Sequence, residues 1–167
     1  LAREYAAQGA TLGLLGRRRD ALDALAAELP GVHSVYAIDV TDRAALAAAA
    51  ADFIAGGGAD IVIASAGVSQ GTLTERAEDL DVFDTVFATN VNATVATFSP
   101  FIDSMRVRDG ARRLVGIGSV AGVRGMRGAG AYCASKAALR SYCESLRLEL
   151  KSTGIRVVTI APGYIDT

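Results

Sequence analysis

The chain is poor in the residues that mark disulfide-rich and metal-binding proteins. Its 167 residues include two cysteines, Cys133 and Cys143, and a single histidine, His33. Both cysteines fall on one predicted helix, where a spacing of ten residues separates their Cα atoms by about 15 Å, so they do not bridge each other within that helix. Because His33 is the only histidine and stands at the start of a predicted strand, we expect no metal site.

The chain also lacks an excess of either charge. It has 17 basic and 18 acidic residues, for a net charge of −1, which gives no reason to expect a nucleic acid or another polyanion as partner. The basic residues are scattered apart from the run 17–19. With no signal peptide and no long apolar span, the sequence predicts a cytoplasmic protein whose cysteines are reduced and which is not associated with a membrane.

Short apolar runs alternate with amphipathic segments along the whole chain, and its length suits one domain, residues 1–167, with a substantial core. Strands are predicted at 10–15, 32–38, 59–64, 112–117 and 155–160. Helices are predicted at 1–9, 20–29, 42–55 with Thr41 as N-cap, 78–105 with a bend near Pro100, and 132–151. This alternation predicts an α/β fold, a doubly wound parallel sheet with helices on both faces.

Small and polar residues follow the predicted strands. They are Asp39, the stretch Ala64 to Gly67, Ser119, and Pro162-Gly163. The carboxyl ends of parallel strands share one edge of the sheet, which is where ligands bind in such folds. We therefore expect these residues to lie together at one edge, within reach of the helix that begins near Tyr132.

The stretch Tyr132-Cys133-Ala134-Ser135-Lys136 opens the predicted helix. Residues four apart on a helix share a face, so the phenol and the ammonium should point the same way. A phenol has an unperturbed pKa of about 10. One positive charge about 4 Å away, at an effective dielectric of about 20, contributes about 4 kcal/mol, which is enough to make a tyrosine a usable acid or base. Alone, this spacing would equally suit two surface residues, so its meaning depends on its companions.

Five landmarks in the right order resemble the short-chain dehydrogenase/reductase family, in its compact single-domain branch, over nearly the whole chain. They are Asp39-Val40-Thr41-Asp42, Ser65-Ala66-Gly67, Asn90-Val91-Asn92-Ala93, Ser119 before Tyr132-x-x-x-Lys136, and Pro162-Gly163 with Thr167. The resemblance implies a Rossmann-like fold. It also implies hydride transfer between a nicotinamide cofactor and a small-molecule carbonyl or alcohol.

By this resemblance, Ser119, Tyr132 and Lys136 form a catalytic triad and Asn90 is its fourth member. Tyr132 would exchange a proton with the substrate oxygen, and Ser119 would hydrogen-bond that oxygen. Lys136 would stabilise the phenolate and hold the nicotinamide ribose, while Asn90 would position a water that links Lys136 to solvent.

Each of these residues also has an ordinary interpretation. Ser119 suits a turn at a strand end, and Pro162-Gly163 suits a plain turn. Asn90 could be only a polar residue that disturbs a helix, where asparagine is mildly unfavourable. Asn92 is the rival for the role that the resemblance gives to Asn90.

The end of the first predicted strand bears on the choice of cofactor. It reads Leu15-Gly16-Arg17-Arg18-Arg19, with no carboxylate before Asp20. An acidic residue there would favour NAD, whereas arginine favours the additional phosphate of NADP. We predict NADP rather than NAD, with Arg17 as the main contact and Arg18 as the alternate; a solvated basic cluster is the competing interpretation. The resemblance adds further cofactor contacts at Asp39, Val40, Ala66, Gly67, Asn90, Tyr132, Lys136, Pro162, Gly163, Ile165 and Thr167.

The chain departs from the family pattern in three places. The glycine-rich turn and the first strand, which would lie in the middle of the sheet, are absent, and Leu1 already falls inside the helix that follows them. The substrate-covering loop and last strand are absent after Thr167, and Ser65 replaces the usual asparagine. Strands beside the missing one would lose backbone partners, at about 1–3 kcal/mol for each buried unpaired group. We therefore expect an excerpt of a longer chain that neither folds well nor binds cofactor alone.

Three functions fit these features. The first is an NADP-dependent oxidoreductase, and the small, mostly apolar pocket candidates Ser69, Gln70, Val120, Ala121 and Val123 favour an apolar substrate such as a lipid-like ketone or a 3-oxoacyl group. The second is a regulator that senses NADP without catalysis. The third is a sugar-nucleotide epimerase or dehydratase, which shares Tyr-x-x-x-Lys but resembles longer chains. By the resemblance we also expect a homo-oligomer, a tetramer or a dimer, that pairs through the helices at 78–105 and 132–151.

Overall fold

The computed structural model describes residues 1–165, so the predicted contact at Thr167 lies outside the described residues. Strands and helices alternate along this part of the chain. The strands are β1 (Gly13–Gly16), β2 (Ser34–Ala37), β3 (Ile61–Ala64), β4 (Arg112–Ile117) and β5 (Ile155–Ile160). The helices are α1 (Ala2–Ala7), α2 (Arg19–Glu28), α3 (Arg43–Ala55), α4 (Leu80–Phe87), α5 (Ala93–Arg106) and α6 (Gly130–Glu149).

The strands pair in parallel in two sheets. One sheet contains β1 and β2, with Leu14 opposite Val35. The other has the order β3-β4-β5, with Val62 opposite Leu114 and Leu114 opposite Val157. The predicted Rossmann-like α/β fold with parallel strands is confirmed. Among residues 1–165, only β4 has a strand partner on both sides.

The main core forms where α5 and α6 pack on the three-stranded sheet. Phe98 and Met105 of α5 and Leu114 of β4 are fully buried, and Leu139 of α6 is 1% exposed. These apolar side chains recur at helical spacing on α5 and α6, which is why both helices lie flat on the sheet. The sheet and α6 together fix the position of everything that follows β4.

The cap of α3 is one residue later than predicted. The Asp42 carboxylate accepts hydrogen bonds from the backbone N–H groups of Ala44 and Ala45, both at 3.0 Å, and is the N-cap. The hydroxyl of Thr41 instead donates to Asp39 at 2.7 Å. Both residue types cap helices well, and the bond to Asp39 is what removes Thr41 from the role.

The prediction of one continuous helix over 78–105 is wrong. A 3₁₀ turn (Ala77–Asp79) leads into α4, a π turn (Ala88–Asn92) follows, and α5 then contains Pro100 in its interior. The helix is therefore interrupted at the π turn, whereas α5 continues through Pro100. A π turn inserts extra backbone into a helix and is frequent at functional sites; here it contains Asn90.

Candidate active site

Backbone pairing continues beyond the ends of β4 and β5. The N–H of Gly118 donates to the carbonyl of Ile160 at 2.7 Å, and the N–H of Val120 donates to the carbonyl of Pro162 at 3.1 Å. The segment after β5 therefore runs beside the segment after β4. This pairing places Pro162 next to Ser119, as the shared edge of a parallel sheet predicts, and Gly163 and Ile165 follow as exposed residues.

Tyr132 and Lys136 occupy the first turns of α6 and point the same way. The Nζ atom of Lys136 lies 5.7 Å from the centroid of the Tyr132 ring, on the face of the ring. The helix begins close to the loop after β3, because a Cβ at Gly130 would approach the Thr74 methyl carbon to 2.7 Å. The two side chains thus share one face of α6, as their spacing predicts.

Lys136 is a buried cation at the carboxyl end of β4. The residue is only 6% exposed, and its Nζ atom donates a hydrogen bond to the carbonyl of Ile117 at 2.8 Å. Burial lowers the pKa of Lys136 below the usual lysine value, because a charged group loses hydration in the interior. An ammonium has three donors, so two N–H groups remain beyond the bond to Ile117 in the described structure.

Asn90 is held by three hydrogen bonds of its carboxamide. Its Oδ1 accepts from the N–H of Val68 at 2.8 Å, while Nδ2 donates to the carbonyl of Val68 at 2.9 Å and to the hydroxyl of Ser135 at 3.0 Å. The residue is 1% exposed. The Asn90 side chain thus ties the π turn to the loop after β3 and to α6, which argues against an asparagine that merely disturbs a helix.

Asn92 lies elsewhere. It is exposed and lines a small cleft with Val40, Thr41 and Arg43. Asn90, and not its rival, is the asparagine beside the lysine of α6.

Gly67 brings the loop after β3 against both Asn90 and Lys136. A Cβ built at Gly67 would lie 3.3 Å from Oδ1 of Asn90 and 3.5 Å from Nζ of Lys136. Ala66 and Gly67 are exposed on their other side, so this stretch forms an accessible floor above the two side chains. Ser65, which departs from the family pattern, is exposed and precedes that floor.

Ser119 begins a 3₁₀ turn (Val120–Gly122) that packs on α6. Its Oγ accepts from the N–H of Ala121 at 3.1 Å, and within residues 1–165 no acceptor takes its hydroxyl proton. Gly122 is in backbone contact with α6, since a Cβ there would lie 2.8 Å from the carbonyl carbon of Lys136. The turn therefore fixes Ser119 relative to the helix that carries the lysine.

The basic residues after β1 lie near the loop after β2. Arg17 and Arg18 are exposed, and neither takes part in an ion pair in the described part of the chain, whereas Arg19 lies 3.8 Å from Asp23. Hydrogen bonds from the backbone and hydroxyl of Thr41 lower the pKa of Asp39, and the charge of Arg17 adds to that effect. Because β1 and β2 are paired in parallel, Arg17 lies at the same edge of that sheet as Asp39 and Val40.

A polar cleft of about 190 Å³ lies between the loop after β3 and the loop before α6. The two loops are joined by a hydrogen bond from the N–H of Thr72 to the carbonyl of Gly128 at 3.0 Å. Glu75 and Arg127 line the cleft. Of the pocket candidates expected from the sequence, Ala121 is buried and the others are exposed: Ser69, Gln70, Val120 and Val123.

Two residues of this arrangement were missed by the sequence analysis. Ser135 bonds Asn90, and Gly122 gives the close approach of the 3₁₀ turn to α6. A serine next to the predicted lysine was a usable signal for Ser135, because a small hydroxyl residue inside a helix needs a hydrogen-bond partner. Nothing in the sequence separates Gly122 from the other glycines of its loop.

Neither a metal cluster nor a membrane helix is found in residues 1–165. No group of three or more His, Cys, Asp or Glu side chains there could hold a metal ion, and no helix is both long and apolar enough to cross a membrane. His33 bonds the backbone instead: its Nδ1 accepts from the N–H of Leu12 at 3.1 Å.

Comparisons with known proteins agree with this fold. A short-chain dehydrogenase from Streptomyces avermitilis superposes with a TM-score of 0.92 at 32% identity, covering 99% of this chain and 61% of that protein. A metagenomic short-chain oxidoreductase in complex with NADP gives 0.88 at 28% identity, covering 98% and 76%. An uncharacterised oxidoreductase of Mycobacterium tuberculosis is 39% identical over 176 residues, covering 100% of this chain and 68% of the relative.

This chain therefore spans between 61% and 76% of the length of these three proteins. The family model described as short chain dehydrogenase matches all of residues 1–167. The chain belongs to the short-chain dehydrogenase/reductase family.

Proposed function

We propose that this chain carries the catalytic centre of an NADP-dependent oxidoreductase that interconverts a carbonyl and a secondary alcohol. One observation carries the proposal: a buried ammonium, that of Lys136, lies beside the ring of Tyr132 and beneath the exposed floor at Gly67. Burying a lysine is costly unless its charge is used or compensated. The chemistry of the family gives such a charge a use next to a phenol.

The residues fit a nicotinamide cofactor. The backbone at Ala66 and Gly67 is accessible, and a Cβ at residue 67 would lie tightly against Asn90, at 3.3 Å, and in contact with Lys136, at 3.5 Å. The two remaining N–H groups of Lys136 suit ribose hydroxyls, and Asp39 and Val40 would flank the adenine. Arg17, which has no ion-pair partner in the described structure, would bind the phosphate of NADP, with Arg18 as the alternate. Pro162, Gly163 and Ile165, with Thr167, would face the nicotinamide amide.

The reaction requires a proton at the substrate oxygen, and this chain supplies it. When bound, the nicotinamide donates or accepts the hydride. The Tyr132 hydroxyl would give its proton to the carbonyl oxygen during reduction and take it back during oxidation. Through its positive charge, Lys136 would stabilise the phenolate that remains on Tyr132. The free hydroxyl proton of Ser119 would hold the same substrate oxygen. Lys136 would then pass a proton to the phenolate of Tyr132, and Asn90 would position a water that links Lys136 to solvent and replaces that proton.

The substrate class follows less directly. The exposed pocket positions Val120 and Val123 favour an apolar substrate, such as a lipid-like ketone or a 3-oxoacyl group. We further propose a cytoplasmic homotetramer, or a dimer, that associates through α4, α5 and α6. Exposed apolar side chains at Leu80, Val95 and Leu148 support it, and light scattering at the mass of a monomer would refute it.

A fluorescence titration of the protein at its natural length with NADPH and with NADH tests the cofactor. We expect NADPH to bind more tightly, and Arg17→Ala to weaken NADPH binding at least tenfold without changing NADH binding, because a hydrogen bond to a charged group contributes about 1.5–3 kcal/mol. The matched control is Arg19→Ala, which removes a neighbouring guanidinium. Equal binding of both nucleotides would remove the role of Arg17, and binding of neither would remove the oxidoreductase proposal.

Tyr132→Phe tests the chemistry. This variant keeps the ring and its contact with Lys136 but lacks the proton, so we expect kcat to fall by about 10²–10⁴ with NADPH binding unchanged. A variant that retains full biological effect without turnover would instead support the NADP-sensing regulator.

A further inference from the structure

The hydroxyl of Ser135 is buried between two elements of the site. Ser135 is 0% exposed, and it lies on α6 immediately before Lys136. Its Oγ donates to the backbone carbonyl of Tyr132 at 2.8 Å and accepts from Nδ2 of Asn90 at 3.0 Å. The family resemblance gives this serine no role, so its contacts call for a separate explanation.

The direction of these hydrogen bonds is determined by chemistry. A hydroxyl has one proton, and because the carbonyl of Tyr132 can only accept, that proton points to it. Ser135 can then only accept from Asn90, which requires the NH₂ side of the carboxamide to face α6. Val68 imposes the same orientation from the other side, since its N–H faces Oδ1 and its carbonyl faces Nδ2.

Ser135 and Lys136 hold α6 in two different directions. Consecutive residues point about 100° apart around a helix. Ser135 bonds the π turn that carries Asn90, whereas Lys136 bonds the carbonyl of Ile117 at the end of β4. Together they fix the rotation of α6 about its axis, and Tyr132 lies on the turn that is so fixed.

We propose that Ser135 is a positioning residue, which holds the carboxamide of Asn90 in one orientation and sets the rotation of the helix turn that presents Tyr132. The proposal rests on the proposed function for its effect on catalysis, but not for its effect on Asn90. It predicts that the hydroxyl matters through Asn90 and that removing it alters turnover more than cofactor binding.

The first measurement does not need activity. In the protein at its natural length, the side-chain amide protons of Asn90 are followed by nitrogen-15 NMR in wild type, in Ser135→Ala and in Ser141→Ala. Ser141 lies on the same helix but is exposed, so it is the matched control. We expect Ser135→Ala alone to shift these resonances and to speed their exchange with water at least tenfold. Unchanged Asn90 resonances in Ser135→Ala would overturn the proposal.

The second measurement is a double-mutant cycle on turnover. We expect Ser135→Ala to lower kcat about tenfold with KM for NADPH within twofold of wild type, and to have little further effect in an Asn90→Ala background, because the serine acts through the asparagine. Fully additive losses would contradict a role through Asn90. If no variant or wild type turns over substrate, the proposed function fails while the NMR result stands.

Ser135→Cys separates the hydrogen bonds from packing. A thiol is a weaker donor and acceptor than a hydroxyl of similar shape, so this variant should lie between wild type and Ser135→Ala in both measurements. Should Ser135→Ala fail to fold, Ser135→Cys supplies the test. A cysteine variant with wild-type Asn90 exchange and kcat would show that the strength of these hydrogen bonds is irrelevant, and would overturn the proposal.

Discussion

Replacing Gly122 by alanine tests how the 3₁₀ turn after Ser119 is held on α6. The added Cβ would lie 2.8 Å from the carbonyl carbon and 2.9 Å from the carbonyl oxygen of Lys136, and 3.0 Å from the nitrogen of Ala137. These are backbone atoms of a helix, so no side-chain rotation relieves the contact. The turn must withdraw from α6 by about 0.6 Å to reach the ordinary contact distance of 3.4 Å.

The expected effect has two parts. Overpacking of this kind costs about 1–3 kcal/mol, and 1 kcal/mol changes Tm by about 2–4 °C in a domain of this size, so we expect Tm to fall by about 2–12 °C. The turn carries Ser119 with it. Because a misplacement of about 1 Å can cost about 100-fold in rate, we expect kcat to fall about tenfold with little change in NADPH binding.

Gly125→Ala is the matched control. Gly125 lies in the same loop, has no atom within 4 Å of its added Cβ, and does not have a positive φ. Thermal unfolding followed by circular dichroism should place its Tm within about 1 °C of wild type or slightly higher, since alanine restricts the unfolded chain. If Gly122→Ala melts and turns over like Gly125→Ala, the close packing of the turn on α6 is refuted.

Three further changes test other parts of the structure. Asp42→Ala should lower the free energy of unfolding by about 1 kcal/mol in urea titrations, and by more than Thr41→Ala, which the reverse order would contradict. Lys136→Met should raise Tm at pH 7 while abolishing turnover, because burial lowers the pKa of Lys136. The lysine therefore binds its proton more tightly in the unfolded chain than in the folded one, so the stability of the wild type rises with pH up to about 10.4. The difference in Tm between Lys136→Met and wild type should narrow over that range, and a constant difference would contradict this. Burial raises the pKa of Tyr142 to about 12. The stability contributed by its neutral phenol is therefore complete below about pH 10 and is lost as the pH rises to about 12. Urea unfolding at pH 9 and 11 should show a smaller loss of stability at pH 11 for Tyr142→Phe than for wild type.

The strands and most helices could be predicted because their signals are local. β4 and β5 begin and end where their apolar runs do, and the stripe of Leu22 and Leu25 on α2 packs on its sheet. The N-cap of α3 could not be resolved, since Thr41 and Asp42 are adjacent and both cap well. The π turn was missed because its cause, the set of bonds around Asn90, comes from residues distant in the sequence.

The site divides in the same way. The face shared by Tyr132 and Lys136 follows from helical periodicity alone, and the edge shared by Ser119 and Pro162 follows from parallel pairing. The close contact of Gly122 with α6 depends on how two elements approach each other, and no spacing in the sequence encodes that distance. Sequence reasoning therefore predicted which side chains share a face or an edge more reliably than the contacts that hold them.

The burial of Lys136 explains why those contacts are needed. A charge placed in the interior destabilises the fold, and a free helix would relieve that cost by turning the ammonium towards water. Three contacts oppose such a rotation: the bond from Nζ to Ile117, the bond of Ser135 to Asn90, and the packing of Gly122 against the helix backbone. Weakening any one should allow α6 to turn in the same direction, so Ser135→Ala and Gly122→Ala should both bring the pKa of Lys136 closer to its ordinary value.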